Sequence, residues 1–398
     1  MQLQGSWHPK WQPVVDVFLK NQVEGDDGAA LGLVIDRELV LNIVAGSGRN
    51  RAMGIESEDW TDKTLVNVFS AGKALVAICV LQLVERDELS LDAPIADYWP
   101  EFSQKSKSAI TLRQVLSHRS GLSAFHQVIA QDQIFNWEQI TQAIAEDEPW
   151  WQPDSAQGYS PFIYGWILGE VIQRVTGISF NQYFQQNVAE PLGIDCYFGV
   201  LDDKLPQIVD TTPLKKIYNF QDSSSSDADS FALGKIMKAD PRGVTNRAFS
   251  NPISLMTSTN SLAWRQAQIP AANAHTNALG LAKIYGDLAR SSGQLLSQKT
   301  LINCSQEQTF EEDKVLGLPL RFSCGFMLSQ PQRPDCRYGH GKMGFGHPGA
   351  GGSLGFADPD LKIGFGYVTQ RMGQSVLIDQ RASKLVDAVY AVLESEHE

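Results

Sequence analysis

Ser70-Ala71-Gly72-Lys73 places a hydroxyl and an amine three positions apart. On a helix that spacing puts both side chains on one face. A serine at a helix N-terminus meets backbone N–H groups and the positive end of the dipole, which favour an alkoxide, while a nearby ammonium or amine can take or relay the hydroxyl proton. The chemistry this suits is acyl transfer through a covalent ester on Ser70. The same tetrapeptide would also fit a plain helix cap whose lysine reaches solvent. What favours chemistry is its place, between a strand-like Leu65 to Phe69 and a segment from Ala71 to Glu85 that is apolar nearly all round.

Two further stretches could join it. Gly158-Tyr159-Ser160-Pro161 precedes a helical run from Pro161 to Thr176 that ends at Gly177, with Ser160 expected as N-cap and Pro161 as first helical residue. The Tyr159 phenol would pass protons between Ser70 and a leaving group if neighbouring positive charge lowers its pKa. The competing role for Tyr159 is a staple packed on Tyr164. Later comes Gly346-His347-Pro348-Gly349-Ala350-Gly351-Gly352-Ser353, whose glycines at a strand edge let a substrate carbonyl approach closely. A main-chain N–H there, opposite that of Ser70, would complete an oxyanion hole. The embedded Gly351-Gly352-Ser353-Leu354-Gly355 matches a nucleophile-elbow pattern, but a hairpin rather than a helix is expected after Ser353, so it is read as a decoy.

The elements that must hold these groups are legible at both ends. Trp11, Val14, Val15, Phe18 and Leu19 recur at helical spacing, followed by two apolar strands around Asp36-Arg37-Glu38. Toward the other end, Phe322 to Leu328 reads as strand. Leu354 to Ala357 and Ile363 to Val368 flank the turn Asp358-Pro359-Asp360, and Leu377 to Leu393 is amphipathic and helical. The expected fold is therefore α/β: an antiparallel sheet flanked by helices, built from residues 1–69 and 271–398, with a mainly helical domain of 70–270 inserted and the site between them. Gln221 to Ser230, with four consecutive serines, is expected as a surface loop, with a lid as the alternative.

Composition narrows the partners. The 398 residues carry a net charge of −12, which repels phosphate backbones, so nucleic acid is not expected. No membrane span is expected, because the longest apolar run, Ala74 to Leu81, is far short of the roughly 20 residues needed. The N-terminal MQLQGSWHPKWQP lacks the pattern of a secretory signal, and a cytoplasmic protein is expected. Cys79, Cys196, Cys304, Cys324 and Cys336 are scattered and read as reduced thiols without a catalytic part. The seven histidines form no ligand-spaced pair, and no phosphate-binding glycine motif follows a strand, so neither metal nor cofactor is implied.

The order and spacing of the three motifs resemble the serine β-lactamase and penicillin-binding-protein family, in particular class C β-lactamases, DD-peptidases and family VIII carboxylesterases. The connectors Leu91-Asp92-Ala93-Pro94-Ile95, Leu116-Ser117-His118-Arg119-Ser120-Gly121-Leu122 and Gly346 to Pro359 extend the resemblance over most of the chain. It implies an α/β sandwich with an all-helical domain, an acyl-enzyme on Ser70, Lys73 and Tyr159 as the base and acid pair, and the Ala350 N–H as second oxyanion donor. Two departures bear on substrate. Pro161 stands where the family often has asparagine, and His347-Pro348-Gly349 where it often has Lys-Thr-Gly. Both remove groups that anchor a β-lactam or peptide, which favours a carboxylesterase acting on short to medium acyl esters. The alternatives are a β-lactamase, DD-peptidase, aminopeptidase or transacylase on the same fold, and a catalytically silent binding protein. Trp150, Trp151 and Phe125 are candidates for an apolar acyl site. Oligomeric state is not legible.

Overall fold

The computed structural model describes residues 3–24, 27–213, 227–373 and 375–395. A ten-stranded sheet runs in the order Leu3–Trp7, Glu38–Asn50, Gly28–Ile35, Ile363–Thr369, Leu354–Asp358, Phe345–Pro348, Met327–Leu328, Pro319–Phe322, Thr309–Glu312, with Ile55–Asp59 paired to Glu38–Asn50. Every pairing within it is antiparallel. The hairpin around Asp36 and Arg37 closes through two residues with φ of 44° and 79°, the left-handed pair whose twist suits a two-residue connection.

The central strands are buried on both faces, because helices cover both. On one face Phe365 and Tyr367 share a core with Trp11, Val14, Val15 and Phe18, and with Leu385 and Val389 of the helix Gln380–Glu394. On the other lies the helix Ala278–Leu288, and here glycine is required: a Cβ on Gly364 would stand 2.0 Å from the Gly286 nitrogen, and one on Gly366 2.2 Å from the Ala278 carbonyl. The α/β class with an antiparallel sheet between helices is thus as expected.

The segment between the sheet's two parts is mostly helical, around the helix Gly72–Glu85, whose residues 72–83 are all buried. It is not wholly helical. Cys196–Tyr197 pairs with His275–Thr276, which pairs in turn with Val66–Asn67, forming a three-stranded sheet beneath the approach to Ser70. Two expected strands are shorter than read. Leu65 to Phe69 is a strand only at Val66–Asn67, since Phe69 turns into the left-handed region at φ 47°. Phe322 to Leu328 is split by a turn at Gly325, which enters that region at φ 98° and lies so near the Gly72–Glu85 helix that a Cβ would meet Ala77 at 2.2 Å. Of the stretch considered as a lid, 221–226 lie outside the described residues, and 227–230 begin the helix Asp227–Ala239 rather than a loop. No helix among the described residues is long and apolar enough to cross a membrane.

Candidate active site

Ser70 sits in a single 3-10 turn, Phe69–Ala71, that runs directly into the helix Gly72–Glu85. The left-handed Phe69 just before it, a conformation that costs a non-glycine residue about 1–2 kcal/mol, swings the chain out of its strand and into that turn. One turn on, Lys73 is fully buried: its Nζ donates to the Pro161 carbonyl at 2.7 Å and to the Ala271 carbonyl at 3.0 Å, and lies 3.2 Å from Ser70 Oγ. Its acceptors are neutral, so nothing offsets the cost of burying an ammonium; burial drives the lysine well below its ordinary pKa, toward the free amine. An amine shifted in that direction beside a serine hydroxyl suits a base.

Tyr159 completes the cluster. Its phenol interacts with the Ser70 hydroxyl, and its ring centroid lies 4.9 Å from Lys73 Nζ. Burial raises the phenol's pKa, so the lowering that neighbouring positive charge could bring does not prevail. Tyr159 is therefore a protonated phenol, able to donate. The cap is displaced from the sequence reading: the helix spans Ile163–Thr176, yet Ser160 Oγ still accepts from the Tyr164 N–H at 3.0 Å. Nor does Tyr159 staple directly to Tyr164, for the His118 ring lies against both, 4.8 Å from one and 5.0 Å from the other.

The glycine-rich stretch lies beside the serine. A Cβ on Gly349 would stand 2.1 Å from the Val68 carbonyl, two residues before Ser70. Gly349, Gly351 and Gly352 donate their N–H groups to the carbonyls of Ser353, Ser375 and Gly349, whereas the N–H groups of Ala350 and Ser70 have no acceptor among the described residues. Two unspent donors, one in this stretch of chain and one at Ser70 itself, would suit an oxyanion. Gly349→Ala is expected to lower kcat by about 10²-fold or more through displacement of this loop, as checked by steady-state hydrolysis alongside a melting curve.

His347 is buried, its ring centroid 6.1 Å from that of Tyr159, and Nδ1–H donates to the Pro348 carbonyl at 2.8 Å while Nε2 has no partner. Burial and the nearby Lys73 bring its pKa from 6.5 to about 3, so it is a neutral ring and no substitute for a permanent cation. Such a group binds a proton more readily unfolded than folded; its stability contribution is full above 6.5 and is lost as pH falls toward 3. His347→Asn is expected to flatten the acid limb of a stability-versus-pH curve over that window.

Ser353 is followed by the strand Leu354–Asp358, and its carbonyl is taken by the Gly349 N–H, so the elbow geometry is absent. Trp151 covers Gly158, where a Cβ would meet the indole at 2.3 Å, and with Trp150 it packs in the same apolar cluster as Tyr159. Phe125 instead faces Trp166 in the helical core and does not join them. All five cysteines are free, buried thiols. Among the described residues no group of three or more His, Cys, Asp or Glu is placed to hold a metal. Two residues escaped the motif reading: His118, visible only as part of a connector, and Asp313, the last acid of Glu311-Glu312-Asp313, which nothing in the sequence marks as buried.

The Beta-lactamase family model matches residues 18–388. The chain belongs to that family. Among curated members, the esterase/beta-lactamase LipL of Mycobacterium tuberculosis (strain ATCC 25618 / H37Rv) is 27% identical over 361 residues, 89% of this chain and 80% of that protein. The crystal structure of a family VIII carboxylesterase superposes with a TM-score of 0.85 at 30% identity, covering 98% of this chain and all of that one. A penicillin-binding-protein homologue from Caulobacter crescentus gives a TM-score of 0.84 at 29% identity over 98% of this chain and 100% of its own. Membership in the Beta-lactamase family accounts for the antiparallel sheet and the helices that flank it.

Proposed function

We propose that this protein is a serine carboxylesterase that cleaves short to medium acyl esters through an acyl-enzyme on Ser70. The observation that carries the reading is the Ser70 hydroxyl 3.2 Å from the Nζ of a fully buried Lys73, with the Tyr159 ring 4.9 Å from the same nitrogen. Lys73 takes the Ser70 proton as Oγ attacks the ester carbonyl, and the oxyanion rests on the N–H groups of Ser70 and Ala350. When the tetrahedral species collapses, the alcohol leaves with the Tyr159 proton, which the Lys73 ammonium replaces. Water then gives a proton back to Lys73, attacks the acyl carbon and releases Ser70 with its proton restored. The sum is ester plus water to acid plus alcohol.

Esters are favoured over lactams and peptides on local grounds. The Pro161 carbonyl is spent on Lys73, no side-chain amide stands at that position, and His347 brings no positive charge. A chromogenic cephalosporin is expected to turn over about 10²-fold or more slowly than p-nitrophenyl butyrate, in keeping with the loss of a charged anchor and an amide anchor of a few kcal/mol together. Comparable rates would return the β-lactamase reading to first place. The acyl group is assigned to the space beside Trp150 and Trp151. A series of p-nitrophenyl acetate, butyrate and octanoate tests the class and sizes that space, and failure to cleave any of them would refute the proposal.

The division into 1–69 plus 271–398 and 70–270 belongs to the same proposal, supported by the main sheet drawing its strands from 3–59 and 309–369. So does a cytoplasmic location, which the five buried thiols favour because a reducing compartment preserves them.

A further inference from the structure

Residues 157–160, which carry Tyr159, belong to no helix or strand, so their backbone donors need partners from elsewhere. The Gly158 N–H donates to the His118 carbonyl at 2.9 Å, the Tyr159 N–H to Asp313 Oδ2 at 2.8 Å, and the Ser160 N–H to His118 Nδ1 at 3.1 Å. Three successive donors are thus taken by two residues distant in sequence. We infer that His118 and Asp313 form a clamp that fixes the Tyr159 phenol against Ser70, which makes both of them positioning residues for the proton transfer. The inference rests on the reading of Tyr159 as the proton carrier.

Each jaw of the clamp is itself fixed. Asp313 is buried, and its Oδ2 also accepts from Gln157 Nε2 at 3.2 Å while Oδ1 accepts from the N–H groups of Val315 and Leu316 at 2.9 and 3.0 Å. The His118 ring is walled by Tyr159, Tyr164 and Phe322, the last with centroids 4.6 Å apart and edge-on. To accept from Ser160, Nδ1 must carry no proton, and burial together with the nearby Lys73 holds the ring neutral by lowering its pKa well below the ordinary range. The backbone of His118 is left-handed at φ 58°, which aims carbonyl and ring at the same short segment. Without this clamp the phenol is tethered by its neighbours alone, and a misplacement of about 1 Å at a reacting group costs roughly 10²-fold in rate.

The test is a double-mutant cycle read as kcat and KM on p-nitrophenyl butyrate. His118→Phe keeps a ring but removes the acceptor, whereas His118→Asn keeps an acceptor near the Nδ1 position and tolerates the left-handed backbone. The clamp predicts that His118→Phe lowers kcat about 10- to 100-fold with KM within about twofold, that His118→Asn recovers most of the loss, and that His118→Phe costs less than about twofold in a Tyr159→Phe background. Equal losses in both backgrounds, or a His118→Phe enzyme as fast as the parent while Tyr159→Phe is impaired, would overturn the clamp and leave the role of Tyr159 standing. A Tyr159→Phe enzyme as fast as the parent would instead remove the proton-carrier reading, and the clamp with it. Should His118→Phe not fold, Asp313→Asn, which turns an N–H donor toward donors, enters the same cycle with the same expected pattern.

Discussion

Replacing Ser70 by alanine is expected to lower kcat on p-nitrophenyl butyrate by about 10⁴-fold or more, because no other hydroxyl stands between an amine base and unspent backbone donors among the described residues. The loss is chemical rather than structural. Ser70 is half-buried, and among the described residues its hydroxyl interacts with Lys73 and Tyr159. The unfolding midpoint should accordingly stay within about 4 °C of the parent. Ser353→Ala is the matched control. Its hydroxyl belongs to a motif that looks catalytic in the sequence, but a strand follows it, and turnover is expected within about twofold of the parent.

The second large effect is expected at Lys73. Lys73→Ala removes the base and also leaves the carbonyls of Pro161 and Ala271 without their donor, so kcat should fall by about 10³-fold or more and stability by about 1–3 kcal/mol. Burial favours the uncharged form of this lysine. Its pKa in the folded protein lies well below that of the unfolded chain, so the folded state releases a proton that the unfolded state keeps. Two consequences follow with defined sign. The kcat/KM profile should rise with pH through the lowered pKa and reach its plateau before an ordinary lysine titrates. Between the lowered pKa and the unfolded value of about 10.4, this residue makes stability increase with pH. Lys73→Arg should not rescue turnover, since guanidinium keeps its proton throughout the accessible range.

What the sequence made legible, and what it hid, divides by range of interaction. Ser70 and Lys73 are neighbours on one turn, so their contact follows from spacing alone, as does the packing of Trp11 to Phe18 on the sheet. The paired left-handed residues at Asp36 and Arg37 sit where the charged tripeptide between apolar runs predicts a turn. Tyr159 stands out as a candidate only through three motifs in order. His118 and Asp313 lie 42 and 154 positions from the backbone donors they hold, and no local pattern encodes such a pairing. The misplaced boundaries have the same origin. Gly325 breaks a strand-like run because Ala77, on a distant helix, occupies the space a side chain would need. The direction of the phenol's pKa is hidden for a related reason: it is set by burial of Tyr159, and burial is a property of the fold rather than of the motif.

The central claim is that Ser70 carries the acyl group. An alkyl p-nitrophenyl phosphonate, which transfers its phosphonyl group to a serine nucleophile and releases p-nitrophenol, can be reacted with the parent, Ser70→Ala and Ser353→Ala proteins and the labelled peptide identified by mass spectrometry. The account predicts a single adduct on Ser70 in the parent and in Ser353→Ala, none in Ser70→Ala, and ester hydrolysis lost in step with labelling. An adduct on Ser353, or full hydrolysis by a protein whose Ser70 is blocked, would contradict it.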